Sequence, residues 1–370
     1  MRAFHILLFF SLLLLGACTQ DLPDNPGHTD KKRVTFSLAL TPAATESASR
    51  AAWTPVLGEE KELVMNGFCV MVDAETSMVE HVFKSRSEDE GKGQKYCNVY
   101  NDAGSRDIAT STGEKFFYTF ANLSQEKVER AIAASMNKPD FHFTKDAVLD
   151  TTQINKATIA ICGNNFQPSE TNGIPMSGYQ HLTISASDQG KEIQLNVVRM
   201  LAKLEFEISN DTQTPLYVDS IVFENITKNA PNDDTHNLFL FPAPRTPKEN
   251  DQTMITIKPN LTEWGKTHYE KQRISVKQKL AVGAKTNVVY YLNETAAPNT
   301  QFGDFMLTLN LRENDAAGTQ QQRFALISNA ETQYQDSWLY IARNDWRYIP
   351  IHLHDYLFEL IPQDFPPIGV

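Results

Sequence analysis

Several side chains have types and spacings that could support chemistry. His352 and His354 alternate along a predicted strand, and this spacing lets two imidazoles bind one metal ion. Asp355 follows them, but no further His or Cys pattern accompanies the pair, so we interpret both as surface residues. Ser177 lacks the Gly-x-Ser-x-Gly frame of a nucleophile elbow. The Gly-Lys-Gly run at 91–93 lacks the spacing of a phosphate-binding loop.

Acidic loops and tryptophans complete the set of candidate binding residues. The loops lack the alternating acidic positions and the twelfth-position Glu of a calcium loop, so solvated turns are expected at Asn101-Asp102 with Asp107 and at Asp233-Asp234. A sugar-binding platform could be built from aromatic side chains, but in a β protein these usually belong to the core, as expected for Trp264, Trp338 and Trp346. The sequence therefore predicts no catalytic residue, metal site or cofactor, and no enzyme.

The N-terminal region carries the clearest chemical signal. Arg2 precedes the apolar run Ile6–Leu15, and Leu15-Gly16-Ala17-Cys18 has the pattern of a bacterial lipobox. Acylation of the Cys18 thiol would add several lipid chains, which anchor a protein stably where one chain is marginal. The sequence predicts a signal peptide over 1–17 and a lipidated polar tether over 18–32. The mature protein is therefore expected outside the cytoplasm.

Charge and cysteine content restrict the class of protein further. The net charge of −11 is spread along the chain without a basic stripe, which argues against nucleic acid as a partner. Apart from Cys18, the cysteines are Cys69, Cys97 and Cys162, without CxxC spacing. This pattern predicts neither a zinc site nor a full disulfide framework. One bridge would suit an oxidising compartment, with the pairing left open.

Period-two alternation of apolar residues dominates the chain and predicts strands. The clearest example places Val34, Phe36, Leu38 and Leu40 on one face. One helix is predicted over Ser124–Met136, because Ser124 can cap it and apolar residues follow at four-residue intervals. Further strands are predicted at Leu63–Val72, Phe116–Ala121, Ala157–Cys162, Ile193–Val198, Ala202–Ile208, Leu216–Phe223, Val288–Leu292, Phe305–Leu311, Phe324–Ile327, Trp338–Ala342 and Tyr348–Leu353. The fold class is mostly β.

Many short strands separated by Pro, Asn and Gly are typical of β-sandwich domains. The length of the chain predicts two of them. The best boundary lies in the turn-rich run Asp188-Gln189-Gly190-Lys191, after which a new apolar series begins. We therefore expect an N-terminal β-sandwich domain over 33–190, with the short helix, and a C-terminal one over 191–370.

Several segments, in order along the chain, resemble the fimbrillin superfamily, the subunits of Bacteroidales type V pili. They are the strand Arg33–Leu40 leading to Arg50-Ala51, then Gly173–Gly178, Val198–Leu204, Val289–Glu294 and Ile341–Asn344. Each motif alone is weak, but the ordered set covers almost the full length. The resemblance implies two transthyretin-like β-sandwich domains in tandem and no enzymatic role.

The resemblance also implies an assembly route. A lipoprotein precursor reaches the outer membrane through the lipid on Cys18, and an arginine-specific protease cuts the bond Arg50-Ala51. The cut removes Met1–Arg50, which includes the first strand with Val34, Phe36, Leu38 and Leu40. A strand from another pilus subunit then fills the groove by β-augmentation. The implied partners are other subunits and the protease, and the implied location is the cell surface and then the fimbrium, in support of cell adhesion.

Two alternatives stay open at the level of sequence. After the predicted strand Tyr348–Leu353, only Tyr356–Ile361 remains as a further short strand, so the chain fits a tip or accessory subunit or a membrane-retained pilus anchor as well as a shaft subunit. A surface lipoprotein that binds glycans and never polymerises is an alternative from a different class. Such a binder would keep Val34–Leu40 permanently and would expose a cluster of aromatic side chains.

Overall fold

The computed structural model describes residues 32–42, 63–86, 96–159, 166–168, 173–227, 238–242, 269–296, 305–312, 318–326, 340–341, 343–354, 357–360 and 363–365. Most of these residues lie in strands, so the predicted mostly-β fold class is confirmed. The strands form two β-sandwiches, one after the other in the sequence. No helix among the residues in these ranges is long and apolar enough to span a membrane.

Among the described residues, the N-terminal sandwich is built from nine strands, two α-helices and a short 3-10 helix over Ala186–Asp188. The strands are β1 (Arg33–Pro42), β2 (Gly67–Asp73), β3 (Val79–Lys84), β4 (Cys97–Val99), β5 (Ile108–Ser111), β6 (Gly113–Ala121), β7 (Thr158–Ile159), β8 (Met176–Ile184) and β9 (Glu192–Arg199). Eight of them follow the order β3-β2-β6-β8-β9-β1-β4, with β5 also paired to β1. An apolar core lies between β1 and β9 on one side and β2 and β6 on the other.

A helix covers the outer face of this sandwich. Helix α1 (Gln125–Met136) begins after Ser124, whose side chain accepts a hydrogen bond from the Lys127 backbone, as the sequence predicts. Helix α2 (Thr151–Ile154) follows it. Val128 and Ile132 are fully buried in a second core. This core also holds aromatic side chains of β2 and β6, namely Phe68, Tyr118 and Phe120, so the β2-β6 sheet is covered on both faces.

The C-terminal sandwich has two sheets. Its strands are β10 (Leu201–Asn210), β11 (Leu216–Thr227), β13 (Tyr269–Leu280), β14 (Lys285–Asn293), β16 (Phe305–Arg312), β17 (Gln320–Leu326), β19 (Trp346–His354), β20 (Leu357–Leu360) and β21 (Gln363–Phe365). One sheet has the order β14-β10-β19-β20, with β21 also on β19, and the other has the order β13-β11-β16-β17. The short strands β12 (Leu238–Phe239), β15 (Thr295–Ala296) and β18 (Tyr340–Ile341) complete the set.

Met200 lies between β9 and β10, the last strand that pairs with β1 and the first strand of the β14-β10-β19 sheet. The domain boundary at 188–191 stays a prediction. Strand β9 pairs in parallel with β1, so it belongs to the first sandwich although it follows the turn at Gly190. Parallel pairing joins residues far apart in sequence, so local patterns do not report that β9 lies beside β1. The predicted strand at Leu63 starts four residues early, since β2 begins at Gly67. The strands that the sequence missed are β3, β4, β5, β8, β12, β13, β15 and β21.

Candidate functional site: the first strand and the junction

Strand β1 supplies one wall of the N-terminal core. The side chains of Val34, Phe36, Leu38 and Leu40 point inward and are 2%, 1%, 0% and 0% exposed. Alternate residues of a strand share a face, so one short segment inserts four apolar groups into the core. They pack in one cluster with residues of the opposite sheet and of the neighbouring strand, including Cys69, Met71, Phe83, Phe117, Leu195 and Val197.

The backbone of β1 is paired on both edges. On one edge Ser37–Pro42 runs parallel to the first six residues of β9. On the other edge Arg33–Phe36 pairs with β5 and Leu38–Leu40 pairs with β4, both antiparallel. The Thr35 carbonyl also accepts a hydrogen bond of 2.7 Å from the Gly190 amide. Strand β1 is therefore an internal strand, and its absence would leave unpaired edges on both sides of an open apolar groove.

One close contact shows how tightly β1 is seated. A Cβ atom placed on Gly67 of β2 would lie 2.5 Å from Leu40 Cδ1 and 3.0 Å from the Phe120 carbonyl oxygen. Real Cβ atoms do not approach other heavy atoms so closely, so glycine at this position lets the Leu40 side chain pack directly against the β2 backbone. The groove is shaped for a leucine-sized group at this position.

A buried charge cluster lies beside the strand that pairs with the start of β1. Lys115 is fully buried, and its Nζ lies 2.7 Å from both Asp73 Oδ2 and Glu80 Oε1. It also donates to Ser111 Oγ on β5 at 3.2 Å. Burial alone would raise the pKa of Asp73, but hydrogen bonds from Lys115 and Thr76 and the lysine charge outweigh it, and the pKa lies well below its usual range.

Four of the segments that carry the family resemblance, at 173–178, 198–204, 289–294 and 341–344, meet between β9 and β10. Arg199, the last residue of β9, donates from Nη1 to Asn344 Oδ1 at 3.2 Å. The Asn344 amide donates to the Leu201 carbonyl at 3.0 Å, and the Met200 amide donates to the Pro175 carbonyl at 2.8 Å. A small apolar cluster of Ile174, Leu201 and Tyr291 lies between them. The motifs therefore describe a joint between the sandwiches.

A buried ion pair fixes the same joint. Arg343 is 2% exposed, and its guanidinium donates to both carboxylate oxygens of Glu294, at 2.5 Å and 3.1 Å. Arg343 also donates to the Phe239 carbonyl at 2.8 Å. Removing one member of such a pair leaves an uncompensated buried charge and costs about 3–5 kcal/mol. Sequence reasoning listed Glu294 and Arg343 in separate motifs and did not predict that they pair.

The structure describes some of the predicted site residues and not others. Cys18, Arg50 and Ala51 lie outside the described residues, as do Trp264, Trp338, Asp355 and the runs 91–93 and 233–234. Cys69 and Cys97 are both buried, and burial raises the pKa of the Cys69 thiol far above its usual value. Cys162 also lies outside the described residues.

The remaining candidates for chemistry serve the fold, with one exception. Ser177 is buried and donates its hydroxyl to the Leu240 carbonyl. Trp346 is 3% exposed and donates from Nε1 to Glu205 Oε2, so it is not part of an open sugar platform. The loop after β4 is an ordinary turn, in which Asn101 Oδ1 accepts from the Ser105 amide. The exception is the His352–His354 pair, which the fold joins to a carboxylate that sequence reasoning missed.

Comparison with solved structures identifies the class of fold. The tip fimbrial protein Mfa3 from Porphyromonas gingivalis, in a form with a C-terminal truncation, superposes with a TM-score of 0.52 at 13% identity. The match covers 90% of this chain and 100% of that chain. It establishes a common fold, in agreement with the resemblance that the ordered motifs indicate.

A fimbrial assembly protein from Parabacteroides distasonis also matches, with a TM-score of 0.43 at 10% identity over 90% of this chain and 97% of that chain. No protein-family model and no curated protein matches the chain.

Proposed function

We propose that this chain is a fimbrial subunit or fimbria-associated adhesin of the bacterial cell surface, with a structural and not an enzymatic role. The observation that carries the proposal is the fold shared with a tip fimbrial protein over 90% of the chain. The internal position of β1 supports it, because a strand paired on both edges is the element that strand exchange would replace.

The proposed maturation removes β1. The precursor is exported as an outer-membrane lipoprotein anchored through Cys18, and a protease cuts after Arg50. The bond lies in the run Ala43–Ala52 of small and polar residues, and exposed segments of this composition are preferred sites of proteolysis. The fragment Cys18–Arg50 that this cut removes contains all of β1, so the groove lined by β2, β6 and β9 opens for a strand from another subunit.

The proposed position is at the tip or an accessory site of the fimbrium. The solved structure that supports the fold is a tip fimbrial protein. A membrane-retained anchor is the second candidate. Such an anchor would keep β1, whose four buried side chains and two paired edges form a complete sandwich without any partner.

The test is the N-terminus of the protein in two fractions, sheared surface filaments and outer membranes, measured by mass spectrometry. We expect filament protein to start at Ala51 and Arg50→Lys to abolish that species, since an arginine-specific protease does not accept lysine. Arg33→Lys is the matched control and should change nothing. A start at Val34 would show release from the lipid without strand removal. Lipidated Cys18 in every fraction would overturn the maturation step and favour the anchor or a non-polymerising binding lipoprotein.

A further inference from the structure

Two histidines and an aspartate meet at one end of the C-terminal sandwich. His352 and His354 lie near the end of β19, and Asp211 directly follows β10. Asp211 Oδ2 lies 3.0 Å from His352 Nδ1 and 3.8 Å from His354 Nε2. One ligand atom from each of the three side chains falls within 4.8 Å of the other two. A sequence separation of 141 residues divides Asp211 from His352, so only the fold brings the set together.

The spacing suits a transition-metal ion. Zinc binds imidazole nitrogen and carboxylate oxygen at about 2.0–2.2 Å, so two donors around a tetrahedral ion stand roughly 3.3 Å apart. The two measured distances, 3.0 Å and 3.8 Å, bracket that separation. Two imidazoles with one carboxylate favour zinc, nickel or copper over the all-oxygen preference of calcium and magnesium. We propose that Asp211, His352 and His354 form a binding site for a divalent transition-metal ion, with Zn²⁺ as the preferred probe.

The surroundings of the three residues support an open, oriented site. Their side chains are 33%, 31% and 51% exposed, in the order Asp211, His352 and His354, so an ion can enter from solvent with waters completing its coordination. Ser209 is 1% exposed, and its hydroxyl donates to Asp211 Oδ2 at 3.2 Å. A buried partner of this kind fixes the orientation of a ligating carboxylate.

The site would connect two strands that lie far apart in the sequence, β10 and β19. β10 opens the C-terminal sandwich and β19 is its last long strand, and the two pair in parallel over Lys203–Asn210. The ion would bridge the residue just beyond the end of β10 to the last residues of β19. An ion that binds only the folded state raises its stability, and the rise depends on ion concentration. The metal is therefore expected to act as a structural clamp at this end of the sandwich.

The experiment is zinc titration of the folded full chain without a histidine tag, followed by calorimetry, with cobalt absorption as a second readout. We expect one Zn²⁺ per chain, cobalt bands of low coordination number, and a melting temperature that zinc raises and EDTA restores. His354→Ala and Asp211→Asn should each weaken binding by at least about tenfold, and Ser209→Ala by a smaller factor.

The matched control is His181→Ala. His181 Nε2 lies 3.3 Å from Glu114 Oε2, and these side chains are 43% and 63% exposed. The pair therefore resembles the proposed site in its exposed histidine and carboxylate but contains only one histidine. This variant should bind zinc as the unaltered chain does. Two results would overturn the proposal: no saturable zinc binding, or a zinc affinity in His354→Ala and Asp211→Asn equal to that of the unaltered chain. Either result would show that the cluster is only a hydrogen-bonded Asp–His pair.

Discussion

The first strands of the two sandwiches occupy the same place in their sheets but are attached differently to the chain. Strand β1 lies between β9, which is parallel to it, and the antiparallel β4 and β5. Strand β10 lies between the parallel β19 and the antiparallel β14. However, β10 follows β9 directly through Met200, whereas β1 is the first described strand of the chain. The two strands are therefore held by similar non-covalent contacts. The chain secures β10 at both ends, whereas a single cut after β1 would separate β1 from the rest of the sandwich.

Burial of the apolar side chains of β1 contributes enough free energy to determine whether its sandwich is stable. A fully buried Val, Leu or Phe side chain contributes about 1.5–3 kcal/mol, so the four of β1 contribute roughly 6–12 kcal/mol. The total stability of a domain is only about 5–15 kcal/mol. The N-terminal sandwich therefore depends on a strand in this groove, whether its own or one supplied by another molecule.

Removal of β1 is expected to produce the largest difference between the two sandwiches. A chain that starts at Ala51 should lose hydrogen-exchange protection throughout β2, β6 and β9, because the groove and two strand edges open to water. Peptides of β10, β14 and β19 should keep theirs, since their sheet contains no part of the deleted segment. A synthetic peptide of Arg33–Pro42 added in trans should restore protection in the first sandwich.

The matched control for that experiment is the same peptide with Phe36→Asp and Leu38→Asp, which cannot be buried without unpaired charges. If the chain that starts at Ala51 keeps full hydrogen-exchange protection in β2 and β6, the N-terminal sandwich does not depend on β1, and the prediction is wrong.

The loss of stability at low pH should also differ between the two sandwiches, but by a smaller amount than the effect of removing β1. The folded-state pKa of Asp73 lies below its value of about 3.9 in an unfolded chain, so its contribution to stability is complete above that pH and is lost as pH falls below it. Lys115→Met removes the cation and leaves Asp73 and Glu80 close together without it. We expect the variant to be much less stable at pH 7, with a deficit that shrinks as pH falls below about 4.

Urea unfolding at pH 7, 5 and 3.5, with hydrogen exchange read separately for each sandwich, measures this response. Arg312→Met is the control, because Arg312 Nε lies 2.8 Å from Asp219 Oδ2 in the more exposed ion pair of the C-terminal sandwich. Its smaller loss should fall on β11 and β16. A deficit in Lys115→Met that stays constant from pH 7 to 3.5 would contradict the assigned role of Asp73.

Local patterns could be predicted from the sequence, and long-range pairings could not. The inward face of β1 and the capped helix α1 follow from residue spacing alone, and both were predicted. Strand β13 was missed because it is an edge strand with charged, exposed residues such as Lys271 and Arg273. The placement of β9 beside β1 and of Asp211 beside His352 depends on pairings across more than 140 residues, which no local pattern reports.

The smallest expected effect tests how closely β1 is seated. Gly67→Ala should cost about 1–3 kcal/mol through overpacking, because its Cβ would meet Leu40 Cδ1. Leu40→Ala alone should cost about 2–5 kcal/mol through the cavity it leaves. The double variant should cost less than the sum, with a coupling of about 0.5–3 kcal/mol, since truncating Leu40 makes room for the alanine methyl group.

Gly178→Ala is the control for this cycle. Its Cβ would collide with the Asn196 carbonyl oxygen, a backbone atom that Leu40→Ala does not move away, so its cost should add to that of Leu40→Ala. Denaturant midpoints of the six chains, with the unaltered protein included, give both couplings. Coupling at Gly67 with additivity at Gly178 means that β1 is held by specific packing and that a replacement strand needs a leucine-sized side chain at this position. Additivity at both glycines would mean that the groove accepts β1 loosely and selects a strand mainly through its backbone hydrogen bonds.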